Sequence, residues 1–74
     1  MADRLIIVHP MDPRGVKVGG IETHVRQLLR RAPAEIMPLL IGVDDRGDLS
    51  IGTVSEIEFG GRRIGFLPVA FVPA

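Results

Sequence analysis

The sequence has no cysteine, no tryptophan and no tyrosine, and only two histidines. Disulfides and a cysteine-bearing zinc site are therefore excluded, and packing and hydrogen bonds must hold the fold together. At this size that is demanding, because a 74-residue chain draws only roughly 3–5 kcal/mol from a single core. Charge of one sign is also missing. Nine acidic and nine basic side chains cancel, which leaves no overall field to draw the chain to nucleic acid or an acidic membrane. The first apolar run, Leu5-Ile6-Ile7-Val8, is too short for a membrane span or a signal-peptide core. A cytoplasmic location is the expectation.

What the chain does have is punctuation by glycine and proline around one organising stretch, from Leu5 to Ala32. Residues 4–9 predict a buried parallel strand, short, β-branched and stopped by Pro10. A loop follows from Pro10 to Gly20, and then an amphipathic segment that starts at Gly20. Its apolar positions Ile21, Val25, Leu28, Leu29 and Ala32 form one stripe of a 3.6-residue helix. Glu22 suits the positive end of the helix dipole and stands four residues before Arg26, while Arg30 and Arg31 suit the other end. Pro33 stops the helix at Ala32. Paired glycines at a helix N-terminus let a backbone come close to a phosphate, since glycine has no Cβ and the first helical N–H groups are unpaired. Anion capture at Gly19 and Gly20 is the first functional expectation. The blander expectations for the histidines are a strand-end His9 bonded to backbone and a His24 packed at the edge of the apolar stripe.

A second apolar run at residues 35–43 completes a strand-helix-strand pattern. Pro38 cannot donate to a ladder, so either the strand is 39–43 or Pro38 faces an unpaired edge. Asp44-Asp45-Arg46-Gly47-Asp48 is a polar turn cluster whose Arg-Gly-Asp tripeptide is short enough to arise by chance. Residues 53–59 and 62–68 flank Gly60-Gly61, which suits a primed hairpin turn. That register sets Phe59 against Arg62, Glu58 against Arg63 and Ile57 against Ile64, and collects Ile57, Phe59, Ile64 and Phe66 on one face. The chain closes on a nearly all-apolar stretch from Phe66 to Ala74, which reads as a truncated end, since termini are usually exposed and polar.

Taken together, Ile6-Ile7-Val8-His9-Pro10, Asp12-Pro13-Arg14, Gly19-Gly20-Ile21-Glu22-Thr23-His24-Val25 and Glu58-Phe59-Gly60-Gly61-Arg62-Arg63 resemble the start of retaining nucleotide-sugar glycosyltransferases of group 1, which have the GT-B architecture of two Rossmann-like domains. The resemblance spans roughly residues 4–69 and is most specific at the Gly-Gly-Ile-Glu-x-His-Val helix start. It implies an amino-terminal domain that binds the acceptor and sends its first glycine loop toward the donor diphosphate. Gly19 and Gly20 match that loop, with the Gly20 N–H as the phosphate donor. Glu22 matches a position that faces the acceptor, and Asp12 and Arg14 are candidates for lining the same cleft. The two-glutamate motif of the family's other domain is absent, as is the later histidine of the amino-terminal domain that sits near the reacting sugar, so no catalytic residue is assigned to this chain.

The resulting expectation is an α/β fold: a partial Rossmann-like unit, strand-helix-strand followed by a β-hairpin, with residues 1–74 a fragment of a glycosyltransferase N-terminal domain. It implies a nucleotide-diphosphate sugar as donor substrate, a sugar or lipid-linked acceptor, no metal and no further cofactor. The parent enzyme would be cytoplasmic or peripheral to the membrane, and the fragment alone inactive and prone to self-association through Leu39–Val43 and Phe66–Ala74. The alternative is a non-enzymatic small module that binds an anion or another protein.

Overall fold

The computed structural model describes residues 4–15 and 19–73; the ends and residues 16–18 of the glycine loop lie outside the described residues. The elements are β1 (Ile6–Val8), α1 (Gly20–Arg31), β2 (Leu39–Asp44), β3 (Ser55–Phe59) and β4 (Arg62–Phe71). They form a small α/β unit with one mixed sheet in the order β1-β2-β4-β3. β1, β2 and β4 run parallel, and β3 returns antiparallel to β4.

The hairpin has the expected register, with Phe59 opposite Arg62, Glu58 opposite Arg63 and Ile57 opposite Ile64. Gly60 and Gly61 both take positive φ, 58° and 84°, which is what a primed turn requires. β4 then runs beyond Pro68 to Phe71. Proline is tolerated there because β3 has already ended opposite Phe66 and the Pro68 carbonyl accepts from Gly52 N at 2.8 Å, so no ladder donor is lost on that side. Pro38 stands outside β2, which begins at Leu39, and its carbonyl accepts from Gly65 N at 2.8 Å.

One expectation is overturned. Leu39–Val43 does not present an unpaired edge, because β4 pairs along β2 on the side away from β1. The hairpin docks parallel to β2, so the open edges are β1 and β3.

Met11, Val25, Leu29, Leu40, Phe59, Ile64 and Phe66 make the core, where α1 lies on one face of the sheet. The helix is turned relative to its predicted stripe. Glu22, Val25 and Leu29 are its buried residues, while Ile21 and Leu28 are exposed. His24 is exposed as well, so it packs no boundary. The spacing 22, 25, 29 is as good a helical stripe as the one read from apolar residues alone; what decides between them is the partner found for the Glu22 carboxylate. The opposite sheet face carries Ile6 and Val8, 53% and 73% exposed, beside half-buried Leu39, Ile41, Val43 and Leu67.

Candidate functional site

In open parallel sheets, ligands bind outside the carboxyl ends of the strands. Here that end gathers the loop after β1, the N-terminus of α1 and the turn after β2, and it holds every site residue named from the sequence. They divide into two groups.

The first group is centred on Arg14. The chain after β1 runs on alongside β2 in the same direction, with His9 N donating to Ile41 O at 3.0 Å and Val43 N to Met11 O at 3.2 Å. Gly42 makes this approach possible: a Cβ there would lie 2.2 Å from Met11 O. Asp12 then turns the chain, accepting from Arg14 N at 2.9 Å. Its other oxygen accepts from Arg14 Nη2 at 2.7 Å and from Asp45 N at 3.1 Å. Arg14 also donates from Nη2 to Asp44 at 3.0 Å and from Nη1 to both oxygens of Asp48, at 2.8 and 3.0 Å. Asp44, fully buried, accepts from the backbone N–H groups of Arg46, Gly47 and Leu49 at 2.9 to 3.0 Å. The cluster pins two loops together. It also ties down Arg46 and Asp48 of the Arg-Gly-Asp tripeptide at the surface, the former donating to Arg14 O.

The electrostatics follow from this geometry. For Asp12, burial favours the neutral acid, but the hydrogen bonds from Arg14 and from Asp45 N outweigh it and hold the carboxyl below its ordinary value. For Asp44, burial is likewise overcome by the three backbone donors and then by the Arg14 charge. Arg14 is held more firmly protonated by Asp12, against burial, with Asp48 helping. Asp45 goes the other way: burial, then its hydrogen bond with Asp12 and the Asp12 charge, push it up. The carboxylates of Asp12, Asp44 and Asp45 approach within 4.8 Å of one another and could together ligate a cation. The positive charge among Asp12, Asp44 and Asp48 is the guanidinium of Arg14.

The second group stands at the helix start. Gly19 caps α1 with extended backbone and no side-chain hydrogen bond, and its carbonyl takes the first helical bond from Thr23 N at 3.0 Å. Among the described residues the N–H groups of Gly20 and Ile21 have no partner, as the first turn of a helix leaves them. The two glycines differ. A Cβ on Gly19 would sit 2.4 Å from Glu22 Oε1, so the folded-back Glu22 carboxylate accounts for that glycine. Among the described residues a Cβ on Gly20 would meet nothing within 4 Å, and Gly20 has no positive φ. The packing of the described residues and the backbone geometry do not explain it.

Glu22 Oε2 also accepts from His9 Nε2 at 2.7 Å. His9 is therefore bonded by its ring to a side chain rather than to backbone, which the sequence reading missed; the signal available was a histidine at the end of a strand and a carboxylate in the first turn of the following helix. Glu22 itself is 9% exposed, so it reaches solvent only narrowly.

A cleft of about 510 Å³ lies at the opposite end of the sheet between the foot of α1 and the hairpin turn. Arg62 is committed there to structure. It donates to Ala32 O, to Pro33 O at 3.2 Å and to Ile36 O at 2.6 Å, tying down the connection from α1 to β2. Among the described residues no helix is long and apolar enough to cross a membrane.

No family model, no curated protein and no solved structure matches this chain.

Proposed function

We propose that the chain is the opening β-α-β unit and hairpin of a Rossmann-like acceptor domain in a nucleotide-sugar glycosyltransferase, with the N-terminus of α1 approaching the donor diphosphate. One observation carries this reading. Gly20 is a glycine that the packing of the described residues does not require, beside two backbone N–H groups without partners among those residues, at the carboxyl end of a parallel sheet. A phosphate seated there would sit against backbone, and a side chain at residue 20 would be in its way. Gly19 contributes by leaving room for Glu22, and Glu22 closes the site toward the acceptor side. Asp12 and Arg14 shape the acceptor lip by fixing the loop, their polar atoms being largely engaged within the protein. Transfer itself needs donor, acceptor and developing charge held in one closed cleft, and this chain supplies one lip of it.

The test is titration of the isotope-labelled chain with inorganic pyrophosphate, followed at the backbone amides. Saturable shifts confined to Gly20 and Ile21 are expected, at millimolar affinity for so small a ligand. Shifts that instead follow the arginines at the other end of the sheet, or none at all, would contradict the reading. A second reading is favoured by the bare sheet face of Ile6, Val8, Leu39 and Ile41: a protein-interaction module whose apolar face meets another chain.

A further inference from the structure

The two open edges of the sheet, β1 and β3, are unlike. On β3 the exposed Glu56 and Glu58 alternate with Ile57 and Phe59, which pack toward the core, so the two carboxylates stand on the face away from α1. Charge on an edge strand discourages the addition of another strand. β1, Ile6-Ile7-Val8, carries none. Leu5 O accepts from Leu39 N at 2.8 Å and His9 N donates to Ile41 O at 3.0 Å. Backbone groups alternate in direction along a strand, so the odd-numbered residues serve β2, and Ile6 and Val8 turn their N–H and C=O groups outward. Among the described residues these outward groups have no partner. The side chains of the same two residues are exposed on the bare face, beside Leu39 and Ile41.

We infer that the β1 edge binds a second copy of this chain, the two β1 strands pairing antiparallel across a two-fold axis at Ile7 and joining two four-stranded sheets into one. The edge is complementary to itself in that register. Ile6 falls opposite Val8 of the other copy, so every outward N–H of one copy meets an outward C=O of the other. On the bare face each Ile6 side chain gains a Val8 neighbour across the strands, a favourable apolar pair. The nearest charge, Arg4, falls opposite Pro10 rather than its own copy, and Pro10 has no N–H to extend the ladder. A head-to-tail contact between β1 and another copy's β3 would instead set Ile6 and Val8 beside Glu56 and Glu58 and would run on without closing. The two-fold pairing closes at two copies.

Sedimentation equilibrium of the full chain tests this. Edge pairing buries little surface, so the mean mass should rise from one chain toward two, and no further, between about 10 µM and about 1 mM. In a mixture of carbon-13-labelled and unlabelled chain, isotope-filtered spectra should show contacts between the Ile6 methyls of one copy and the Val8 methyls of the other. Val8→Lys places a charge at an exposed position of the edge. It should keep the chain monomeric throughout that range while the melting temperature of the dilute chain stays within a few degrees. Val69→Lys, at an exposed apolar position of β4 away from the edge, should leave the dimer intact. A monomer at every concentration, a mass that passes two chains, or an absence of Ile6–Val8 contacts between copies overturns the inference. So does a dimer that survives Val8→Lys or is lost equally to Val69→Lys. None of these results involves pyrophosphate, so the donor-phosphate reading and this inference fail separately.

Discussion

Arg14 uses each of its three guanidinium nitrogens inside the protein, on Asp12, Asp44 and Asp48, whereas the helix start at Gly20 keeps backbone donors that no described residue fills. Both lie at the carboxyl ends of the parallel strands and both would pass, from composition, for polar binding residues. The difference is one of closure. Around Arg14 the carboxylates and N–H groups satisfy one another, so the cluster contributes to stability. Around Gly20 the backbone donors have no partner among the described residues, so they are candidates for binding. Polar residues at a strand end become candidates for function by what they leave unsatisfied.

The comparison breaks first at Arg14. Arg14→Leu leaves Asp12 and Asp44 buried without their cation, and removing one partner of a buried pair costs on the order of 3–5 kcal/mol, comparable to what a core of this size supplies. The chain should be largely unfolded by circular dichroism at room temperature. A cooperative melt close to that of the unmodified chain would mean that the cluster is not what joins the two loops.

Acid should do the same more gradually. Asp12 and Asp44 have folded-state values below their ordinary 3.8, so their stabilisation is complete above that value and is lost as pH falls through the lower folded values. The melting temperature should hold steady down to about pH 4 and fall steeply below it. A loss that began near neutrality would point away from this cluster.

The smallest effect is expected at Asp45, whose carboxyl is raised. A raised acid is most favourable to folding below its unfolded value and costs stability once the pH passes the folded one, so at pH 7 the charged group works against the fold. Asp45→Asn should raise the melting temperature at pH 7 by about a degree or two, a small gain because the half-exposed group is screened by solvent. The gain should vanish near pH 3, and a loss of stability at neutral pH would contradict the assignment.

These contrasts also show which parts of the molecule could be read from the sequence. The hairpin was legible because three local signals agree in it: two glycines for a primed turn, an apolar pair at 57 and 64, and opposite charges at 58 and 63. The helix limits were legible from Gly20 and Pro33. Its rotation was not, because Glu22 counts as polar in any hydrophobic pattern, and its burial depends on His9, thirteen residues earlier. Asp12 and Arg14 were singled out for ligand contact, but their partners Asp44 and Asp48 lie some thirty residues on, beyond any local pattern. Asp44 left a fainter trace: an aspartate opening a turn often binds the N–H groups two or three residues ahead. The place of β4 between β2 and β3 had no local signal either, since it is decided by which strands bury Leu40 and Phe66 under α1.

Gly20 remains the point on which the account turns, and one variant separates its two halves. Gly20→Val puts a branched side chain where no described residue lies within 4 Å of the Cβ, at a helical position where valine is no worse than glycine by more than about 1 kcal/mol. Melting temperature and pyrophosphate affinity are measured on that one variant beside the unmodified chain. The account predicts a melting temperature within a few degrees of the original and a saturable response at Ile21 that is lost. An unchanged affinity, with or without a loss of stability, would contradict it.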